Sequence, residues 1–350
     1  MTANTLSRDL KKAALLAAIA AVPLSAAAQS MRYERIVYPR AIQTLITGLN
    51  DDGTIIGTYT LGELPRAPKG TVCVSKTAMT CGAALVDAFI YRNKTFSMLR
   101  SPEGSNMRLV AINNHNQVLL QDSHGKGNTW FLYDIAKDLF TPIDMLGNLS
   151  TANGIKTIHL HVINGLNEKG EILAGANSGR VFAKPALGAP GSLTAPTEPG
   201  DFTAMPNCAG GNLDIKGINA LDQVVGTCHL ARYTADHVLV TGFIYRDGSF
   251  QYPVAPDAIV TNAMAINNRG VITGFYQPQK TFLSRIFIFD GKAFTNLPVR
   301  FNPNGGVPEV IRAFGINNHG QIVGTVQGAI SNETSRAFLR RRLPALAANS

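Results

Sequence analysis

Few residues of this chain have the types and spacing that chemistry needs. His159 and His161 stand two apart, so in a strand both imidazoles share one face. Two ligands on one face begin a metal site, but zinc takes three or four protein ligands and no third residue accompanies this pair. Ordinary strand histidines are the simpler reading, and no metal or other cofactor is expected. Asp214 and Lys216 share the same spacing and are the other thin candidate for acid–base work. No G-x-S-x-G elbow, H-E-x-x-H helix, P-loop or calcium loop occurs, and Asn50-Asp51-Asp52-Gly53 is a turn with one extra acid.

The remaining candidates depend on the elements that carry them. Six segments follow one pattern: GLNDDGTIIG from Gly48, AINNHNQVLL from Ala111, GLNEKGEILA from Gly165, GINALDQVVG from Gly217, AINNRGVITG from Ala265 and GINNHGQIVG from Gly315. The shared asparagine falls at Asn50, Asn113, Asn167, Asn219, Asn267 and Asn317, at spacings of 63, 54, 52, 48 and 50 residues. Asn bonds nearby backbone groups and Gly accepts positive φ, so each segment is a tight turn between two strands, with the Asn as turn-former. A second apolar element centres on Phe89, Phe131, Phe182, Phe243, Phe287 and Phe338. A third carries Phe96, Phe140, Phe202, Phe250 or Phe294. No helical period interrupts them after residue 28.

Four short strands in about 50 residues, repeated, are the sequence form of a propeller blade. The fold expected is therefore all-β, a six-bladed β-propeller. The sixth copy has no fourth strand after Phe338, whereas RYERIVYP, residues 32–39, precedes the first copy with a suitable length and composition. Pairing of these terminal strands would close the ring and hide sheet edges that invite aggregation. The repeats resemble the HAF family of extracellular repeats, whose pattern fits best at Asn50 and Asn317. The family triplet departs here: Asp87-Ala88-Phe89 and Arg336-Ala337-Phe338 lack its His, and Leu120 and Ala174 replace the closing Gly. The resemblance implies a secreted, propeller-like protein and no defined chemistry.

The N-terminus reads as a secretory signal. Arg8, Lys11 and Lys12 precede ten apolar residues, 13–22, then Pro23 and small residues to Ala28. The apolar run is too short to span a bilayer. Cleavage after Ala28 would leave one propeller domain, residues 29–350, in the periplasm or outside the cell, with no membrane span. In an oxidising compartment four cysteines suggest two disulfides. Cys73 and Cys81 share one insertion and form the natural local pair, and Cys208 and Cys228 then pair by default. The net charge of +9 falls to about +7 without the signal, and its Lys and Arg are scattered. Nucleic acid is not an expected partner, since no basic face interleaved with aromatics is present. A monomer is expected.

In a propeller the strand ahead of the shared turn would line the central channel. Five residues before each Asn stand Leu45, Arg108, Val162, Asp214, Asn262 and Arg312. Three before stand Thr47, Val110, Asn164, Lys216, Met264 and Phe314. Strand alternation puts both sets on one face. If that face looks inward, Arg108, Asn164, Asp214, Lys216, Asn262 and Arg312 converge on the axis. Two Arg and a Lys could hold a carboxylate or a sulfated sugar. A channel whose charges pair with each other is the rival reading. The function expected is a non-enzymatic binding module for an acidic glycan or a cell-envelope protein. The alternatives are a polysaccharide lyase or hydrolase using channel residues, and a surface adhesin using the insertions at 61–86 and 186–202.

Overall fold

The structure, a computed structural model, describes residues 32–61, 86–102, 106–124, 127–151, 154–176, 179–184, 200–206, 208, 212–229, 240–281, 283–298, 309–328 and 336–341. The expected signal segment and the Cys73–Cys81 insertion lie outside them. The described residues are all-β, and no helix among them is long and apolar enough to cross a membrane.

The described chain opens with β1 (Arg32–Ile36). Unit one follows as β2 (Ala41–Leu49), β3 (Ile55–Leu61), β4 (Val86–Arg92) and β5 (Thr95–Leu99). Unit two is β6 (Asn106–Ile112), β7 (Gln117–His124), β8 (Gly127–Asp134) and β9 (Leu139–Ile143). After an extra strand, β10 (Leu146–Thr151), comes unit three: β11 (Gly154–Leu166), β12 (Ile172–Ala176), β13 (Gly179–Lys184) and β14 (Gly200–Met205). Unit four is β15 (Asn212–Ile218), β16 (Val224–His229), β17 (Val240–Arg246) and β18 (Ser249–Gln251). Unit five is β19 (Ala258–Ile266), β20 (Ile272–Pro278), β21 (Arg285–Phe289) and β22 (Phe294–Leu297). Unit six is β23 (Glu309–Ile316), β24 (Ile322–Gly328) and β25 (Arg336–Arg341).

Within each unit, consecutive strands pair antiparallel in chain order. Units four and five touch through one further pair, Val240 beside Val260, which joins them into a single sheet. The fourth strand of unit six is β1. It runs antiparallel to β25, with Arg32 opposite Arg341 and Ile36 opposite Ala337. The Tyr33 hydroxyl donates to the Pro298 carbonyl of unit five at 2.9 Å, and the Tyr91 hydroxyl of unit one donates to Glu34 Oε1 at 3.3 Å.

One local chemistry closes all six turns. The Asn N–H donates to the carbonyl four residues on, and the N–H three residues on donates back to the Asn carbonyl. The residue at that third position has positive φ: 76° at Gly53, 59° at Asn116, 77° at Gly170, 59° at Asp222, 75° at Gly270 and 71° at Gly320. Gly, Asn and Asp are the residues that tolerate this conformation. The closing Gly of the repeat has a different cause. A Cβ on Gly57 would lie 2.1 Å from the Leu45 carbonyl and 2.7 Å from the Phe89 ring, and Gly324 repeats this against Arg312 and Phe338. The Phe of the third strand therefore packs directly against the glycine backbone.

Six hydrophobic cores lie between successive units. One joins Ile56, Ala88 and Ile90 of unit one to Leu109, Val118 and Phe131 of unit two. Another joins Ile46, Ile55 and Phe89 of unit one to Val323, Ala337 and Leu339 of unit six. The others fill the interfaces between units two and three, three and four, four and five, and five and six.

Unit three departs from the expected pattern twice. Its first strand is 13 residues long, so the stretch beyond the reach of β12 has a free edge, which β10 takes. The other edge of β10 pairs parallel with β14. Its Phe182 also falls out of line with the other copies. Phe89, Phe131, Phe243, Phe287 and Phe338 pair with the seventh residue after the Asn, but in unit three that residue, Ala174, faces Val181. Unit six has its own exception. Arg340 stands where units one, two, four and five place Tyr91, Tyr133, Tyr245 and Phe289. The residue is 1% exposed, Nε and Nη1 have no hydrogen-bond partner among the described residues, and burial pushes its pKa down.

Candidate functional site

Each innermost strand carries the same irregularity. Register with the second strand slips between Ile46 and Gly48, Leu109 and Ala111, Ile163 and Gly165, Ile215 and Gly217, Ala263 and Ala265, and Ala313 and Gly315. The extra residue at each bulge is Thr47, Val110, Asn164, Lys216, Met264 or Phe314. A bulge breaks alternation and re-aims its side chain. All six bulged residues line one cavity of about 110 Å³. Asn164 and Lys216 come from adjacent units, as do Met264 and Phe314, so the mouth has a polar side and an apolar side.

Leu49, Ile112, Leu166, Ile218, Ile266 and Ile316 line this cavity and also a second one of about 70 Å³. These six residues thus form an aliphatic collar between two separate hollows. The second hollow is polar and is bounded by the turns.

The turns are joined in two tiers of hydrogen bonds. In the first, each shared Asn points Nδ2 at the carbonyl of the next one: Asn50 to Asn113, Asn113 to Asn167, Asn167 to Asn219, Asn219 to Asn267, Asn267 to Asn317, and Asn317 back to Asn50. The distances run from 2.9 to 3.4 Å. In the second tier the next residue accepts from its neighbour's N–H. Asp51 N–H donates to Asn114, Asn114 to Glu168, Ala220 to Asn268, Asn268 to Asn318 and Asn318 to Asp51, at 2.7–2.9 Å. Ala220 has no side-chain acceptor to offer, so this tier is interrupted at Glu168. Burial raises the pKa of Glu168. The Asn114 N–H and the charge of His115 act against that shift, and the charge of Asp51 adds to it.

The expected channel residues separate. Asn164 and Lys216 reach the mouth, whereas Arg108, Asp214, Asn262 and Arg312 are not among the residues lining it. Alternation cannot carry both sets to one place once a bulge falls between them. The Arg312 guanidinium lies 5.4 Å from the centre of the Phe275 ring in unit five, and Arg108 is exposed. Lys216 Nζ and Asp214 Oδ2 pair at 2.8 Å. His159 is exposed on β11, and the side chain of His161 lies outside the described set. Among the described residues no three His, Cys, Asp or Glu side chains gather as a metal site would need. Cys208 and Cys228 form a disulfide.

The bulged positions carry six unlike residues, so they left no compositional signal. Only their constant distance from the Asn marked them. The Asn-to-Asn staples escaped notice for another reason. The acceptor is a backbone carbonyl 48 or more residues away, while local turn chemistry already accounts for the residue.

No family model and no curated protein matches the chain. Among solved structures, TolB from Acinetobacter baumannii is similar at 11% identity, over 73% of this chain and 60% of its own, with a TM-score of 0.39. The chain thus spans less than two thirds of that protein. A gluconolactonase structure is similar at 11% identity, over 62% of this chain and 74% of its own, with a TM-score of 0.28.

Proposed function

We propose that the chain is a closed six-bladed β-propeller of HAF-like repeats that works, after export to the periplasm or cell exterior, as a binding module. The closure reading draws on the cyclic Asn staples, the core between units six and one, and the pairing of β1 with β25. The export reading draws on the signal-like N-terminus and the Cys208–Cys228 disulfide, a bond favoured in oxidising compartments. Cys73 and Cys81 form a second disulfide in this reading, and residues 29–350 are one monomeric domain.

The observation that carries the binding role is the convergence of one bulged residue from every unit on a single mouth. Bulges gather where a side chain must be re-aimed, and here six are spent on the same hollow. The mouth sets Asn164 and Lys216 beside Met264 and Phe314. An acidic glycan or an envelope protein with an acidic, partly apolar contact suits that division. The aliphatic collar lies beneath the mouth.

The test is a glycan array with acidic polysaccharides, run beside capture of envelope proteins, with product analysis by mass spectrometry. Phe314→Ala and Lys216→Ala should each weaken the captured ligand about tenfold. Equal binding by both variants would remove the mouth from the account, and turnover of a glycan would replace the binding role with an enzymatic one.

A further inference from the structure

Units one and five share an aromatic cradle with the same internal geometry. In unit one, Tyr59 and Phe89 have centroids 6.4 Å apart, and Phe89 and Phe96 5.2 Å. In unit five the same repeat positions are Tyr276, Phe287 and Phe294, at 6.3 and 5.1 Å. The link ahead of the first strand is also built alike. Tyr38 N–H donates to Thr44 Oγ1 at 3.1 Å, and Ala255 N–H to Thr261 Oγ1 at 3.1 Å. Ala41 N–H then returns to the Tyr38 carbonyl, and Ala258 N–H to that of Ala255.

The units differ in what fills the cradle. In unit one the Tyr38 ring stacks on Tyr59 at 3.6 Å and meets Phe96 at 5.1 Å. Units two and four tie the same link to the same strand position by other means, Ser101 bonding to Asp122 and Cys208 to Cys228. Unit five has Ala255 where unit one has Tyr38. Ala255 itself is buried; near it a cavity of about 450 Å³ is lined by Tyr276, Phe287 and Phe294, within the range of small-molecule sites.

Lys280, Arg285 and Asp257 also line it, two cations against one acid. Neither cation has an ion-pair partner among the described residues. We propose that this cradle is a second binding site, for a small aromatic carboxylate. The ring packs on the aromatic wall of the cavity, and the carboxylate meets Lys280 and Arg285 through charge-assisted hydrogen bonds.

The experiment is calorimetric titration of the protein with 4-hydroxyphenylacetate, beside neutral 4-ethylphenol and a capped tyrosine peptide. Saturable binding of the acid is expected. Ala255→Tyr places a ring beside the cavity and should abolish that binding, with a melting curve checking that the buried position accepts it. Joint Lys280→Ala and Arg285→Ala replacement, at exposed positions, should weaken the acid about tenfold and leave 4-ethylphenol unchanged. Lys216→Ala at the mouth should change neither, which keeps this test independent of the central site. The proposal falls if the acid shows no saturation up to millimolar concentration, or binds Ala255→Tyr as it binds the parent. It falls too if the cation replacements leave the acid's affinity unchanged. Binding of the peptide without binding of the acid would give the cradle to a protein partner instead.

Discussion

Asn219→Asp distinguishes a turn-former from a staple. Asn219 is 3% exposed, and its Oδ1 accepts the N–H groups of Leu221 and Gln223, both at 3.0 Å. A carboxylate keeps both bonds, and Asp is as good a turn residue as Asn. Nδ2 is different, since it donates to the Asn267 carbonyl at 2.9 Å and to Gln223 Oε1 at 2.8 Å. The substitution therefore sets a buried, charged oxygen against two acceptors. Two lost hydrogen bonds cost roughly 0.5–1.5 kcal/mol each, and the uncompensated charge raises the total to about 3 kcal/mol or more. Urea unfolding should show a lower midpoint at pH 7, with the loss shrinking at acid pH as the new carboxyl gains a proton and can donate again. Asn219→Ala, which keeps neither function, should also destabilise, with no such recovery in acid. If Asn219→Asp unfolds within about 0.5 kcal/mol of the parent, the amide ring contributes nothing and only the turn matters.

Other outcomes follow from the same structure. A chain beginning at residue 37 lacks β1 and leaves one edge of β25 unpaired, so it should lose its single sharp melting transition; an unchanged curve would refute the role given to that strand. Because burial raises the Glu168 pKa above its unfolded value, its contribution is present in acid and is lost as pH rises through the raised value. Glu168→Gln should thus stabilise at pH 7 and not below the ordinary glutamate pKa, and an equal gain at both in urea midpoints would contradict this. Arg340→Tyr restores the aromatic found at that position in four other units and removes a buried guanidinium with two unpartnered nitrogens. A gain of about 1–3 kcal/mol is expected, read as a higher melting temperature, and a loss would show that the cation is satisfied.

What could be read in the sequence was local. The Asn turns, the strand count per unit and the candidacy of RYERIVYP as a completing strand all follow from short-range rules. Asn accepts from N–H groups two and four residues on, and such bonds depend on nothing distant. Errors arose where a longer-range event broke the period. One extra residue at Thr47 or Lys216 defeats alternation, and Val181 displaces Phe182 by a single step of register. The unit-five cavity was invisible for a related reason. Its lining comes from separate stretches, Pro256 to Asp257, Tyr276 to Arg285 and Phe287 to Asn296, which only the fold brings together.

The partnership of β1 with β25 also governs the order of events in time. Arg32 and Arg341 face each other, so the first strand made waits for nearly the last. Units one to five can assemble from contacts between neighbours, but the pairing of β1 with β25 spans all the described residues and carries the largest loop entropy among the described strand pairs. Until β25 arrives, β1 is an unpaired strand beside a partly assembled array, and the vulnerable species on the folding route is the one in which that pair is still unmade.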